Sequence, residues 1–170
     1  ANKVIFFGLD SCKSYEEFEI PKDQLLDLVS EMESLDPNWD VAILTHIPAF
    51  PRASEMGACY GGPIRNYRIL TQILNAYRNS DNGTTEDLYS PYEGASYRIT
   101  YDFRSNSGDI IGCFCGHVHN SIQTYEDDIY MEAFGTNGAS EWVTDSCGNA
   151  GLYYPTDEKF NRQISINFSN

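Results

Sequence analysis

Ile110-Ile111-Gly112-Cys113-Phe114-Cys115-Gly116-His117-Val118-His119-Asn120 is the stretch that decides how this chain is read. A run of six mostly apolar residues, led by the β-branched Ile110 and Ile111, predicts a strand buried on both faces, and Gly116 permits a sharp change of direction at its end. Two imidazoles follow. Spaced i and i+2 on extended backbone, His117 and His119 leave from the same side, which is the geometry of two neighbouring ligands. Taken alone, they are equally well explained as loop histidines satisfied by hydrogen bonds.

A second stretch shifts that balance. Val41-Ala42-Ile43-Leu44-Thr45-His46-Ile47-Pro48 is another short apolar run ending in a histidine, with a proline that stops the strand. The chain holds only three histidines, and all three stand at the ends of apolar strands. In a parallel sheet such ends converge on one rim, where open α/β folds place their ligands. Neutral imidazole suits zinc, iron, copper and nickel, so His46, His117 and His119 form a candidate metal site.

Outward from these strands the pattern alternates strand and helix. Lys3 to Leu9 is a near-continuous apolar run and predicts a central strand; a chain that opens on it suggests that something preceding has been removed. Leu25, Leu28, Val29, Met32 and Leu35 recur at helical spacing over 21–35, with Pro21 suited to the first turn and Asp23 to the positive end of the helix dipole. Strand, helix and the strand at 41–45 make a βαβ unit with an expected right-handed crossover. The stretch 48–62 reads as a loop leaving directly from His46; Arg52 and Tyr60 on it could meet a substrate, although a solvated loop is the simpler reading. A second amphipathic helix is predicted over 63–78 and an exposed excursion over 79–94. Tyr97, Ile99, Tyr101 and Phe103 alternate with polar residues as in a half-buried strand. Beyond the histidines, 121–125 and 129–134 flank Glu126-Asp127-Asp128 as a hairpin, and 151–154 and 163–168 read as short strands. Gly135 to Gly138 lacks the spacing and following helix of a phosphate-binding loop.

Composition bounds the function. With 170 residues, 41% hydrophobic and 14% aromatic, the chain suffices for one globular domain with a real core. A net charge of −14 disfavours non-specific binding to nucleic acid or anionic membrane surface, and an anionic substrate would need local positive charge of the kind bound cations supply. No 18-residue apolar run spans a membrane and no basic-then-apolar leader opens the chain; the compartment is not fixed by this, with the cytoplasm the default. Five cysteines, at 12, 59, 113, 115 and 147, have no framework spacing, which argues against a disulfide scaffold. Cys113 and Cys115 fit small buried hydrophobes better than ligands, because four alternating ligands on one strand cannot surround a metal tetrahedrally.

Thr45-His46-Ile47-Pro48, followed some seventy residues later by Gly116-His117-Val118-His119, with Leu9-Asp10-Ser11 and a Gln24-Leu25 helix before them, resembles the C-terminal half of the calcineurin-like metallophosphoesterases. The similarity covers most of the span from residue 3 to about 135. The resemblance implies a mixed α/β fold, a β-sandwich flanked by helices as part of a four-layer domain. It also implies a pair of metal ions (manganese, iron or zinc), His46 and His117 on one and His119 on the other, acting on a small phosphate ester. The family's Asp-x-His, Gly-Asp and Asn-His elements do not stand ahead of His46, the one Gly-Asp pair being Gly108-Asp109 after it, and no histidine precedes His46. Residues 1–170 are thus expected to be a single domain that is the C-terminal portion of such an enzyme, lacking its N-terminal half, inactive alone and possibly without bound metal. Two alternatives stand beside this: a non-catalytic protein-interaction module on the same fold, and a small structural zinc domain using cysteine and histidine.

Overall fold

The computed structural model describes residues 3–12, 18–51, 63–117 and 122–134, together with the backbone of 141–144 and 150–153. Its centre is a five-stranded sheet of β1 (Lys3–Leu9), β2 (Trp39–Thr45), β7 (Ile110–Cys115), β8 (Ile122–Glu126) and β9 (Ile129–Ala133), in the order β1-β2-β7-β9-β8. The first four strands in that order run parallel; β8 is antiparallel to β9. Helix α1 (Lys22–Ser34) connects β1 to β2, and α2 (Tyr67–Arg78) lies between β2 and β7. Two short antiparallel ladders, β3 (Asn82–Thr84) with β6 (Thr100–Asp102) and β4 (Leu88–Ser90) with β5 (Ala95–Tyr97), nest between α2 and β7. A further pair joins β10 (Glu141–Thr144) to β11 (Ala150–Tyr153). The class is mixed α/β.

The helical periodicity closes the core. Leu25, Leu28, Val29 and Met32 of α1, and Ile69, Leu70, Ile73, Leu74 and Tyr77 of α2, are buried in one cluster with Val41, Ile43, Cys113, Cys115, Met131 and Ala133 of the sheet. Each fully buried aliphatic side chain contributes roughly 1.5–3 kcal/mol before the entropy of ordering it is counted. Side chains on the opposite face stay partly open: Phe6 is 50% exposed, Leu44 39% and Tyr125 69%. The expectation of a central strand at 3–9 is therefore corrected. Among the described residues β1 is an edge strand, and its apolar run reflects two differently covered faces rather than neighbours on both sides.

Other departures have local causes. The second helix starts at Tyr67 and not at residue 63, because the buried Asn66 side chain is committed elsewhere: its Oδ1 accepts from Ile20 N (3.1 Å) and its Nδ2 donates to Ile20 O (2.7 Å) and the Tyr97 hydroxyl (2.9 Å). The strand expected through 97–103 breaks into β5 and β6. Ile99 turns aside to bond Thr85, through Thr85 N to Ile99 O (2.9 Å) and Ile99 N to Thr85 Oγ1 (3.0 Å), while Tyr97, Ile99 and Phe103 still bury. The excursion at 79–94 carries β3 and β4 and buries Thr85 and Ser90, so it is not wholly exposed. The hairpin around Asp127-Asp128 forms as expected. Both aspartates take left-handed backbone (φ 48° and 63°), the requirement of a two-residue turn matched to strand twist, and α2 grips the turn through Thr71, Asn75 and Arg78. Gly108 is required by close approach, since a Cβ there would overlap the Trp39 carbonyl oxygen. The strand at 151–154 is found as β11; β10 was not anticipated, and 135–138 and 163–168 lie outside the described residues.

Candidate metal centre

Parallel pairing brings three strand ends to one rim. Leu9 pairs with Thr45 and Leu44 with Phe114, so Asp10-Ser11, His46-Ile47 and Gly116-His117 all leave the sheet on the same side. His46 Nε2 and His117 Nδ1 are 3.2 Å apart although 71 residues separate them in sequence, and the two rings meet edge to face at 77° with centroids 5.0 Å apart. At this distance one ring can donate a hydrogen bond to the other. The same spacing fits joint ligation, because two nitrogens each about 2.0–2.1 Å from a tetrahedral ion lie roughly 3.3–3.4 Å apart. His46 is exposed and His117 partly so, which leaves the pair open to solutes.

The backbone around His46 is pinned. Gly116 N donates to His46 O (3.1 Å), Thr45 Oγ1 donates to Ile47 O (2.7 Å), and Ile47 N donates to the hydroxyl of the buried Ser11 (3.0 Å). An Asx turn after β1, with Cys12 N donating to Asp10 Oδ1 (3.0 Å), carries Ser11 into place, and Gln24 Oε1 holds Asp10 N (2.9 Å). Phe18 meets the His117 ring edge-on at 5.2 Å.

One expectation about the turn is corrected. The sequence suggests extended backbone at 117 with Gly116 supplying the freedom to bend; instead His117 itself takes the left-handed conformation, φ 64°. An L-residue held there is strained, and such strain persists where surrounding contacts over-determine it, commonly at functional sites. At Gly116 an added Cβ would come no closer than 3.9 Å to His46 Nδ1, which is ordinary contact.

His119, Arg52 and Tyr60 lie outside the described residues. Among the described residues no group of three or more histidine, cysteine, aspartate or glutamate side chains is arranged to hold a metal, and His46 and His117 stand as a pair of candidate ligands. Cys113 and Cys115 do not join them. Both pack in the core; burial pushes the Cys113 thiol far up, and burial together with the charge of Glu132 pushes Cys115 up to about 12. They lie in the core cluster and in no group of three or more metal-ligating side chains, so the described residues give no support to a closed cysteine–histidine zinc site.

No signal in the sequence marks Phe18, and Ser11 and Thr45 stand in the quoted motifs without a role of their own. Thr45 sits beside the histidine in the quoted motif, so its adjacency was a usable signal; Ser11 reaches His46 only through a contact across two strands. Glu19 is buried, and among the described residues neither of its carboxylate oxygens has a hydrogen-bond partner; burial raises the Tyr97 phenol, the Asn66 amide lowers it and the charge of Glu19 adds to the rise. No family model matches the chain, and no curated protein matches it significantly.

Proposed function

We propose that the chain is the C-terminal portion of a dinuclear-metal phosphoesterase, in which His46 and His117 contribute to one metal position and His119 to the second. The carrying observation is the 3.2 Å approach of His46 and His117 at the common end of parallel strands, in the order the resemblance requires. On this reading the sheet with its two helices is half of a helix-flanked sandwich, and the remaining ligands, carboxylates above all, come from an N-terminal half. Ions bound there would polarise a phosphate ester and generate hydroxide from water at neutral pH. This chain's own part is to hold two imidazoles in fixed register: Ser11, Thr45 and Gly116 restrain the His46 backbone, and Phe18 restrains the His117 ring. With a net charge of −14, an anionic ester would be repelled without bound cations.

Residues 1–170 alone should not turn over bis-p-nitrophenyl phosphate with manganese, zinc or iron present, and the same chain extended by an N-terminal half bearing Asp-x-His and Asn-His elements should. Metal-dependent turnover by 1–170 that His117→Ala abolishes would contradict the half-site reading. A non-catalytic interaction module is the second reading, favoured by the half-open sheet face at Phe6, Leu44 and Tyr125. It is distinguished by an extended chain that still neither binds metal nor hydrolyses the diester.

A further inference from the structure

We propose that the open edge of β1, with the groove it forms against α1, docks an extended basic segment of a partner polypeptide, which adds to the sheet as a sixth strand. This surface is separate from the histidine pair and does not rest on the phosphoesterase reading.

The first observation is an edge that the described residues leave unpaired. Among them β1 pairs only with β2, and no other backbone group bonds to Lys3–Leu9. Edge strands are ordinarily blunted by proline, a bulge, shortness or inward charge. β1 has seven residues, no proline, an unbroken register with β2, and one charge, Lys3, at its very start. Half of its amide and carbonyl groups therefore point outward as a template for another strand.

The second observation is the groove beside that edge, about 320 Å³ in volume, running between Phe7–Asp10 and one face of α1. Phe7, Leu9 and Leu28 supply its apolar lining, and Asp10, Asp27 and Glu31 line it with carboxylates. Asp27 and Glu31 are exposed, lie one helical turn apart, and have no ion-pair partner among the described residues. Like charges at that spacing repel, and a cation placed between them relieves the repulsion. A strand alternating apolar and basic side chains satisfies the edge, the lining and the carboxylates together. A second copy of this chain fits poorly, since each copy carries −14 and would bring more acid to the groove.

The test uses the 170-residue chain labelled with ¹⁵N and three eight-residue peptides: alternating Val-Lys, alternating Val-Glu, and Val-Lys with a central proline. The Val-Lys peptide should shift the amides of Lys3–Leu9 and slow their hydrogen exchange, and added salt should weaken it. The double variant Asp27→Lys, Glu31→Lys, at exposed positions and with core resonances unchanged, should bind that peptide about tenfold more weakly. Failure of the Val-Lys peptide to bind, equal binding of the Val-Glu or proline peptide, or shifts mapping away from β1 and α1 would each overturn the proposal. So would outward β1 amides already protected in the free chain, whether at all concentrations (an edge covered by this chain) or only at high ones (a second copy).

Discussion

Replacing His117 by glycine and, separately, by alanine gives a comparison whose sign is set by the backbone. Both substitutions remove the imidazole, its approach to His46 and its edge contact with Phe18, so those losses cancel between them. What remains is φ 64° at residue 117. Left-handed backbone costs an L-residue roughly 1–2 kcal/mol that glycine does not incur. Glycine returns about 0.4–1 kcal/mol of this through its freer unfolded chain. The net expectation is that His117→Gly is more stable than His117→Ala by about 1 kcal/mol, a difference of about 2–4 °C in Tm for a chain of this size. At an ordinary strand position the order reverses, with alanine ahead by about 0.5–1 kcal/mol. Differential scanning calorimetry of both variants in chelator, free of metal, reads the difference directly. An alanine variant as stable as the glycine variant, or more so, would refute the claim that His117 is held in a strained turn at the rim.

Further outcomes follow from the same contacts. Ser11→Ala leaves the buried Ile47 N–H without its acceptor and should cost about 1–3 kcal/mol in chemical denaturation, with cobalt binding at the histidines weakened alongside; unchanged stability would show that the Ser11 clamp is not formed. Native-state alkylation at pH 8 with peptide mapping should label Cys12 and spare Cys113 and Cys115, whose raised thiols stay protonated there; labelling of either core cysteine before global unfolding would contradict their burial. Arg104 holds the Asp102 carboxyl at about 2, with Arg104 Nε donating to Asp102 Oδ1 at 2.8 Å. Because the folded value lies below the unfolded one, any stabilisation by this pair is complete above the ordinary aspartate range and is lost as pH falls toward 2. A carboxyl NMR titration should show that midpoint, moving up toward 3.8 in Arg104→Ala; an unmoved midpoint would remove Arg104 as the cause.

The regular elements were largely legible because they repeat. Leu25, Leu28, Val29 and Met32 announce a helix face, and the β-branched runs at 41–45 and 110–115 announce strands, since burial on a periodic element leaves a periodic trace. The proximity of His46 and His117 was legible from their shared place at parallel strand ends. What was not legible depends on single contacts between distant residues. Asn66 delays a helix by bonding Ile20, Ser11 fixes the peptide after His46, and Ile99 breaks a strand to reach Thr85; none of these leaves a pattern at either partner's own position. An apolar run such as 3–9 likewise reports how wet its faces are and is silent about whether its edge is paired. The left-handed backbone fell on His117 rather than on the neighbouring glycine, a choice that neither propensity nor spacing encodes.

The most direct test of the proposed shared metal site is a zinc titration of the 170-residue chain followed through the histidine ring nitrogens. The rings of His46 and His117 should shift together with one midpoint, and either His46→Ala or His117→Ala should abolish the response of the other ring. Rings that stay unshifted in excess zinc, or that respond independently with each alanine variant leaving its neighbour unaffected, would contradict the account.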